Sequence, residues 1–296
     1  FVEFQKTSAV KQIFLKISQF KTDFFSFSEQ IYSPRTIEVY KRSFGLFMGI
    51  VGDIPVLSIT PKHIDLYKMN RLQSKASITS LNIELRTLRA AFNVALSWKL
   101  IENNHFRNIK MLKKAEELPV YFTKNDLQDL ISVIKEQWLK DIVFLTVFTG
   151  MRRAEILNLT WKDVNLQSRV ISIQSNSTFK TKQGKCRGIP LNDVANDLLR
   201  SRFEQSDNGY VFSIKGRKIS ESLLSHKFKK YVGAAGLTKK LHFHSLRHTF
   251  ATWLVQEGVS LYEVQKLLGH SNISVTQVYS HLQPETLHST VNKISM

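Results

Sequence analysis

Between Ser33 and Leu100, apolar residues return at steps of three and four, the repeat of a helix with one face buried. Ser33-Pro34 is a helix start, followed by Ile37, Tyr40, Phe44 and Phe47, and Gly49 and Gly52 close the run. Thr60-Pro61 opens a second helix carrying Ile64, Tyr67 and Met69. A third covers 77–100, with Leu81, Leu85, Leu88, Phe92 and Leu96 on one stripe and Arg86, Arg89 and Lys99 opposite. Only 12 Gly and 6 Pro interrupt the whole chain, so long irregular stretches are not expected. The first half therefore reads as a small helical bundle with basic faces.

Periodicity weakens from Glu102 to Pro119, where Asn-Asn, three lysines and a Glu-Glu pair read as a linker. Beyond it, Thr123 stands three residues before Asp126 as a variant capping box, and the helix carries Leu127, Leu130, Ile131, Ile134 and Trp138. A second apolar stretch, 142–148, ends at Thr149-Gly150. Residues 164–174 read as a hairpin turning at Gln167-Ser168, and 187–191 as a third strand. Helices return at 193–203, 220–232, 244–256, 260–268 and 274–282. The expected layout is a helical domain over residues 1–105, with 1–22 a candidate separate segment, a linker at 106–119, and a second domain at 120–296 that is mostly helical with a small antiparallel sheet.

A chain of 296 residues is long for one compact unit, which agrees with two domains. Hydrophobic residues at 43% exclude a disordered chain, and no apolar run is long enough to cross a bilayer. The start mixes Lys and Gln into its apolar residues, has no cleavage site and does not read as a secretory signal; it also lacks an initiator Met. One cysteine, Cys186, cannot form an internal disulfide and has no catalytic partner nearby. Lys and Arg exceed Asp and Glu by 42 to 24, a net charge of +18, which points to a polyanionic partner and above all to nucleic acid.

The second half holds the side chains that phosphodiester chemistry needs. A nucleophile must attack phosphorus, charge gathers on the non-bridging oxygens, and the leaving oxygen must gain a proton. No carboxylate cluster suggests a metal pair, so the cations must be side chains. Arg152 follows Thr149-Gly150-Met151, with Glu155 one turn on. His244 and Arg247 share a helix face. His270 stands in Leu-Gly-His, and Tyr279 follows nine residues later. Lys180, Lys182 and Lys185 compete within a plausible hairpin turn. Taken singly, each residue has an ordinary explanation: Tyr279 as a packed helix tyrosine, Arg152 and Arg247 as ion-pair partners, Glu155 as an exposed carboxylate. His242, His244 and His248 lack the Cys or Glu that would complete a zinc site, and His248 reads as a packing or hydrogen-bonding neighbour.

In this order and at these separations, three strings resemble the catalytic domain of the tyrosine recombinases, the phage-integrase and Xer group. They are Thr-Gly-Met-Arg-Arg-Ala-Glu-Ile-Leu at 149–157, His-Ser-Leu-Arg-His-Thr at 244–249, and Leu-Gly-His-Ser-Asn-Ile-Ser-Val-Thr-Gln-Val-Tyr-Ser-His-Leu at 268–282. The first half resembles the family's helical, SAM-like core-binding domain more loosely. The resemblance implies an α/β catalytic domain of the DNA breaking-rejoining type, and a site-specific recombinase working through a 3′-phosphotyrosyl bond and a Holliday junction. It implies Arg152 and Arg247 on the scissile phosphate, Tyr279 as nucleophile, His244 as proton acceptor and His270 as a phosphate hydrogen-bond donor. The family's lysine lies eight residues before the proline ending the third strand; Pro190 thereby selects Lys182 to protonate the leaving 5′-hydroxyl. Glu155 would hold a basic group in place from behind.

No metal or cofactor is expected, because the covalent bond conserves the energy for rejoining. Duplex DNA at specific sites is the expected partner. Contacts are expected from Lys41, Arg42, Arg86 and Arg89, with Thr36 and Asn82 at positions where the family carries helix-start or backbone-contacting residues. Strand exchange implies a tetramer on DNA, docked through 284–296, in the cytoplasm with the nucleoid. Residues 1–22 look short for an extra arm-binding domain, which favours a simple Xer-like layout. A topoisomerase of the same chemistry and a non-catalytic DNA-binding factor are the competing readings.

Overall fold

The computed structural model describes residues 15–115, 118–174, 186–204 and 209–282. The chain divides into two compact units between Glu116 and Glu117.

In the first unit, helices α1 (Ile17–Ser28), α2 (Pro34–Val51), α3 (Pro61–Gln73) and α4 (Ile78–Ser97) surround one apolar core. The expected starts are real caps. Ser33 Oγ accepts from Thr36 N at 3.3 Å with Pro34 at the first helical position, and Ser77 Oγ accepts from Ser80 N at 3.1 Å. Gly52 ends α2 with φ 89°, a conformation glycine adopts without penalty. The core is aromatic. Phe20, Phe24, Phe44, Phe47, Phe92 and Phe106 are all buried, with neighbouring ring centroids 4.9–6.3 Å apart in stacked, tilted and edge contacts. Helix α1 lies inside the candidate N-terminal segment 1–22 and just beyond it. Phe20 and Phe24 are fully buried, so its described part belongs to this core.

Residues 106–112 fell within the expected linker, yet they pack on the first unit. Phe106 is buried, and Ile109, Met111 and Leu112 lie against the same core. The reason lies far off in sequence. The Asn82 side-chain amide pairs with both the N–H and C=O of Leu112, at 3.0 and 2.9 Å. Arg89 donates to the carbonyls of Phe106 and Ile109, at 2.9 and 2.7 Å.

The second unit opens with α5 (Lys124–Val133), capped by Thr123 and Asp126 as the spacing predicts. Helix α6 (Gln137–Thr149) is apolar over most of its surface and is buried, packed against α8 (Asp193–Glu204) and α10 (Phe243–Gln256). The short α7 (Arg153–Leu157) follows α6 directly. Strands β1 (Val164–Asn165), β2 (Val170–Ile173) and β3 (Arg187–Pro190) form an antiparallel sheet in that order. Its register opposes Ile171 to Ile189, turning both into the core. A two-residue pair, β4 (Ser213–Ile214) and β5 (Arg217–Lys218), was not anticipated. Helices α9 (Glu221–Ala234) and α11 (Leu261–Leu268) complete the unit.

The last expected helix, 274–282, is instead two tight 3₁₀ turns, Ile273–Val275 and Gln277–Leu282. The segment alternates β-branched residues that resist helix packing, and the Asn272 side chain caps Ser274 N at 3.0 Å, favouring a short turn. None of the described helices is long and apolar enough to cross a membrane.

Candidate active site

Two helix ends build the floor of the site. Helix α6 stops at Gly150, whose φ of 61° is left-handed. A side chain there would also collide, because a Cβ would lie 2.5 Å from Phe250 Cδ1. Helix α11 stops at Gly269, also left-handed at φ 64°, where a Cβ would meet Arg187 Cδ at 2.7 Å. The carbonyls next to these caps converge on one side chain. Arg247, 2% exposed, donates to Gly150 O and Leu268 O, both at 2.6 Å. Helix C-termini carry partial negative charge, so the guanidinium is held by dipoles as well as hydrogen bonds. Burial, then the positive charge of Arg152, draws its pKa down to about 9. It remains a cation at neutral pH, with further N–H donors beyond those two bonds.

Gly150 turns the chain so that Arg152 becomes the N-cap of α7. Arg152 Nη1 meets Glu155 Oε1 at 2.9 Å, and Nη2 meets Gly269 O at 3.3 Å. Glu155 is buried, and beyond Arg152 it receives both terminal nitrogens of Arg187, at 2.9 and 2.8 Å. Burial pushes this carboxyl upward, but the Arg187 hydrogen bonds and charge outweigh it and hold the pKa at about 2. Glu155 is therefore ionised throughout the working range. Arg187 escaped the sequence reading; a lone basic residue opening a strand gives no signal of its own.

His270 follows Gly269, with its backbone N–H on Gln265 O at 3.1 Å and Nδ1 2.9 Å from the buried Thr276 hydroxyl. In the tautomer where Thr276 donates to Nδ1, the ring proton is on Nε2 and can be given to a ligand. Burial, then Arg247 and Arg152, lower the His270 pKa to about 4.

Tyr279 lies in the second 3₁₀ turn, 2% exposed, packed with Ala251, Val255, Val264 and Leu268. Its hydroxyl is 2.6 Å from His248 Nδ1. Burial raises the phenol to about pKa 12, opposed by the charge of Arg247. Burial, then the charges of His242 and Arg247, lower His248 to about 4, so His248 is neutral at pH 7 and its Nδ1 can accept the phenol's hydrogen bond in the tautomer protonated at Nε2. His244 stands one turn earlier on α10, with its ring 4.9 Å from that of His248. It is exposed to solvent, and partial enclosure and then the charges of His248 and Arg247 move its pKa down.

The structure thus gathers Arg152, Glu155, Arg247 and His270 around two helix ends, with Tyr279, His248 and His244 along one face of α10. Lys182 lies outside the described residues. Beside Arg152 and His244 opens a groove of about 650 Å³, lined in part by Arg153, Lys229, Lys239, Lys240 and His242. Among the described residues no group of three or more His, Cys, Asp or Glu could hold a metal.

The six residues expected at the DNA face of the first unit divide into three pairs. Arg42 and Arg86 are exposed. Lys41 is paired with Glu29 at 3.3 Å, and the Thr36 hydroxyl lies 2.9 Å from Ser33 Oγ. Asn82 and Arg89 are spent on the protein's own backbone, as described above.

Residues 120–286 match the phage integrase family. A tyrosine recombinase of Pseudothermotoga lettingae is 30% identical, covering 83% of this chain and 86% of its own. Tyrosine recombinase XerC of Pediococcus pentosaceus is 27% identical, covering 90% and 93%. Among solved structures, the Tn1549 transposon integrase bound to a circular intermediate DNA superposes with a TM-score of 0.81 at 20% identity, covering 95% of this chain and all of that one (100%). A lambda integrase tetramer bound to a Holliday junction gives 0.74 at 20% identity, covering 88% and 79%.

Proposed function

We infer that this chain, which belongs to the phage integrase family and is a tyrosine-type site-specific recombinase, breaks and rejoins DNA through Tyr279. The observation that carries this assignment is the convergence of Arg152, Arg247 and His270 on two helix ends, in the same apolar cluster region as a buried tyrosine. Guanidinium is planar, permanently charged and able to fork onto two oxygens, so Arg152 and Arg247 suit the non-bridging oxygens of a phosphodiester. His270 Nε2–H supplies a third donor as charge builds in the transition state.

Tyr279 Oη attacks phosphorus and displaces the 5′-oxygen, forming a 3′-phosphotyrosyl bond. In the DNA-free chain the phenol is buried against His248 with a raised pKa, so it is a weak nucleophile until DNA draws it out. His244, unprotonated at neutral pH and on the solvent side of α10, accepts the phenol's proton and returns it on rejoining. Lys182 protonates the departing 5′-oxygen. The attack of a free 5′-hydroxyl on the phosphotyrosine reverses each step, so no ATP is consumed.

The basic groove beside Arg152 suits the DNA backbone flanking the scissile phosphate, and the exposed Arg42 and Arg86 suit more distant phosphates. The fold shared with lambda integrase, seen as a tetramer on a Holliday junction, supports a tetramer here. Residues 284–296, which lie outside the described residues, are the candidate segment for docking onto a neighbouring protomer, and the assembly acts on cytoplasmic, nucleoid DNA. Deleting 287–296 should abolish strand exchange and leave DNA binding intact; normal exchange by the truncated chain would remove that assignment.

The chemistry is tested by incubating the chain with a nicked DNA site, from which the cleaved end diffuses away. A protein–DNA adduct should accumulate with the wild-type chain and be absent in Tyr279→Phe. An adduct that persists in Tyr279→Phe, or none on a genuine site, overturns the assignment.

A further inference from the structure

We propose that Arg187 is a positioning residue for the strand-cleavage step. It occupies the Glu155 carboxylate so that Arg152 stays open to the scissile phosphate, an inference that rests on the recombinase chemistry above. Glu155 is 4% exposed and receives four N–H donors. Arg187 meets both oxygens end-on, Nη1 to Oε1 at 2.9 Å and Nη2 to Oε2 at 2.8 Å. The Arg152 backbone N–H takes a further place on Oε2, at 2.8 Å. That leaves the Arg152 side chain a single contact with this carboxylate, Nη1 on Oε1 at 2.9 Å.

The consequence is electrostatic. A buried carboxylate beside one guanidinium closes into a forked, two-bond pair, and the charge of both groups is spent. With Arg187 in place, one carboxylate faces two guanidinium groups. Arg187 takes the fork, and Arg152 is oriented by Glu155 without being neutralised by it. Its side chain keeps 25% of its surface open, against 13% for Arg187.

Arg187 also reaches the second anchor of Arg152. Its Cδ fills the space over Gly269, so close that a Cβ on the glycine would lie 2.7 Å away. Gly269 O in turn accepts from Arg152 Nη2 at 3.3 Å. One side chain from β3 therefore braces both the carboxylate and the turn that hold Arg152, and the same turn presents His270.

The test compares wild type, Arg187→Met and Arg187→Lys in single-turnover adduct formation on a nicked DNA site, with DNA affinity and thermal melting read in parallel. Each is run on an ordinary scissile phosphodiester and on a methylphosphonate, in which an uncharged methyl replaces a non-bridging oxygen. On the phosphodiester, Arg187→Met should form adduct about a hundredfold more slowly, the scale of a mispositioned catalytic group, while DNA affinity is retained. Arg187→Lys, charged but unable to fork, should fall between. On the methylphosphonate the difference between wild type and variants should shrink severalfold, because a neutral centre has less need of an uncommitted Arg152. Where Met unfolds the chain, Lys carries the test. A folded variant that cleaves the phosphodiester at the wild-type rate overturns the inference, as does equal slowing on both substrates, the mark of a merely structural role. Absence of a wild-type adduct strikes the recombinase chemistry itself, and so is told apart from failure of the inference alone.

Discussion

Among the described residues a glutamate is buried against arginine twice, and the two clusters differ in one respect. In the first unit, Glu84 accepts from Tyr67 Oη at 2.7 Å and from Arg71 Nε and Nη2 at 2.9 and 2.7 Å. One carboxylate meets one guanidinium, and the remaining Arg71 Nη1 turns to Ser74 at 3.3 Å. In the second unit, Glu155 meets two guanidinium groups, and a third, Arg247, lies buried nearby and pairs with no carboxylate among the described residues. The first cluster is closed and ties α3 to α4. The second carries surplus positive charge, and burying surplus charge is costly unless an anion arrives to use it. Stoichiometry, more than burial or hydrogen bonding, separates the brace from the reactive centre.

The contrast can be broken most severely at Glu84. Glu84→Ala leaves Arg71 with an uncompensated charge in a buried setting and should cost about 3–5 kcal/mol of stability, read by denaturant unfolding. The variant's DNA cleavage, measured where it is still folded, should be normal; a rate defect there would mean that the closed cluster also serves the chemistry. Arg152→Ala is the mirror image. Losing one donor to the developing charge should slow adduct formation by about 10²–10³, with little change in melting temperature. A variant that cleaves normally would remove Arg152 from the phosphate.

Acid sharpens the comparison. Folding lowers the pKa of His248 and His270 from 6.5 to about 4, so the unfolded chain binds more protons as pH falls through 6.5. Their contribution to stability is present above 6.5 and is lost progressively towards pH 4. Glu155 follows in a lower window, from 4.5 to about 2. Unfolding midpoints should therefore fall between pH 7 and 4.5; a flat profile would contradict the enclosed, neutral histidines. The smallest effects belong to the first unit's surface. Arg42→Gln and Arg86→Gln should each lower the salt dependence of DNA affinity by roughly one counterion, with cleavage unchanged at saturating DNA. An unaltered salt slope would take them off the DNA.

What the sequence made legible was whatever is written locally. Ser33, Ser77 and Thr123 announced their helices because a cap needs only the next three residues. The strings around Arg152, Arg247 and Tyr279 stood out because each is a short run. What stayed hidden depends on partners distant in sequence. Arg89 looked like an outward residue on a basic face and Asn82 like a helix-start or DNA-backbone-contacting residue, but the structure turns both to carbonyls and amides near 106–112. Arg187 had no local mark at all, since its partner Glu155 lies on another element. Helical periodicity also could not distinguish an α-helix from the tight turns at Ile273–Val275 and Gln277–Leu282.

Arg247 joins the carbonyl ends of two helices, and this has a consequence for anyone altering the protein. The group proposed to grip the phosphate is also the rivet between α6 and α11. Chemistry and architecture share one side chain, so no substitution there can exchange activity for robustness. A thermostable derivative would have to gain its stability elsewhere, and a catalytically dead control made at Arg247 would report on folding and cleavage together. Tyr279→Phe is the cleaner silent form, because it removes one oxygen and leaves the rivet in place.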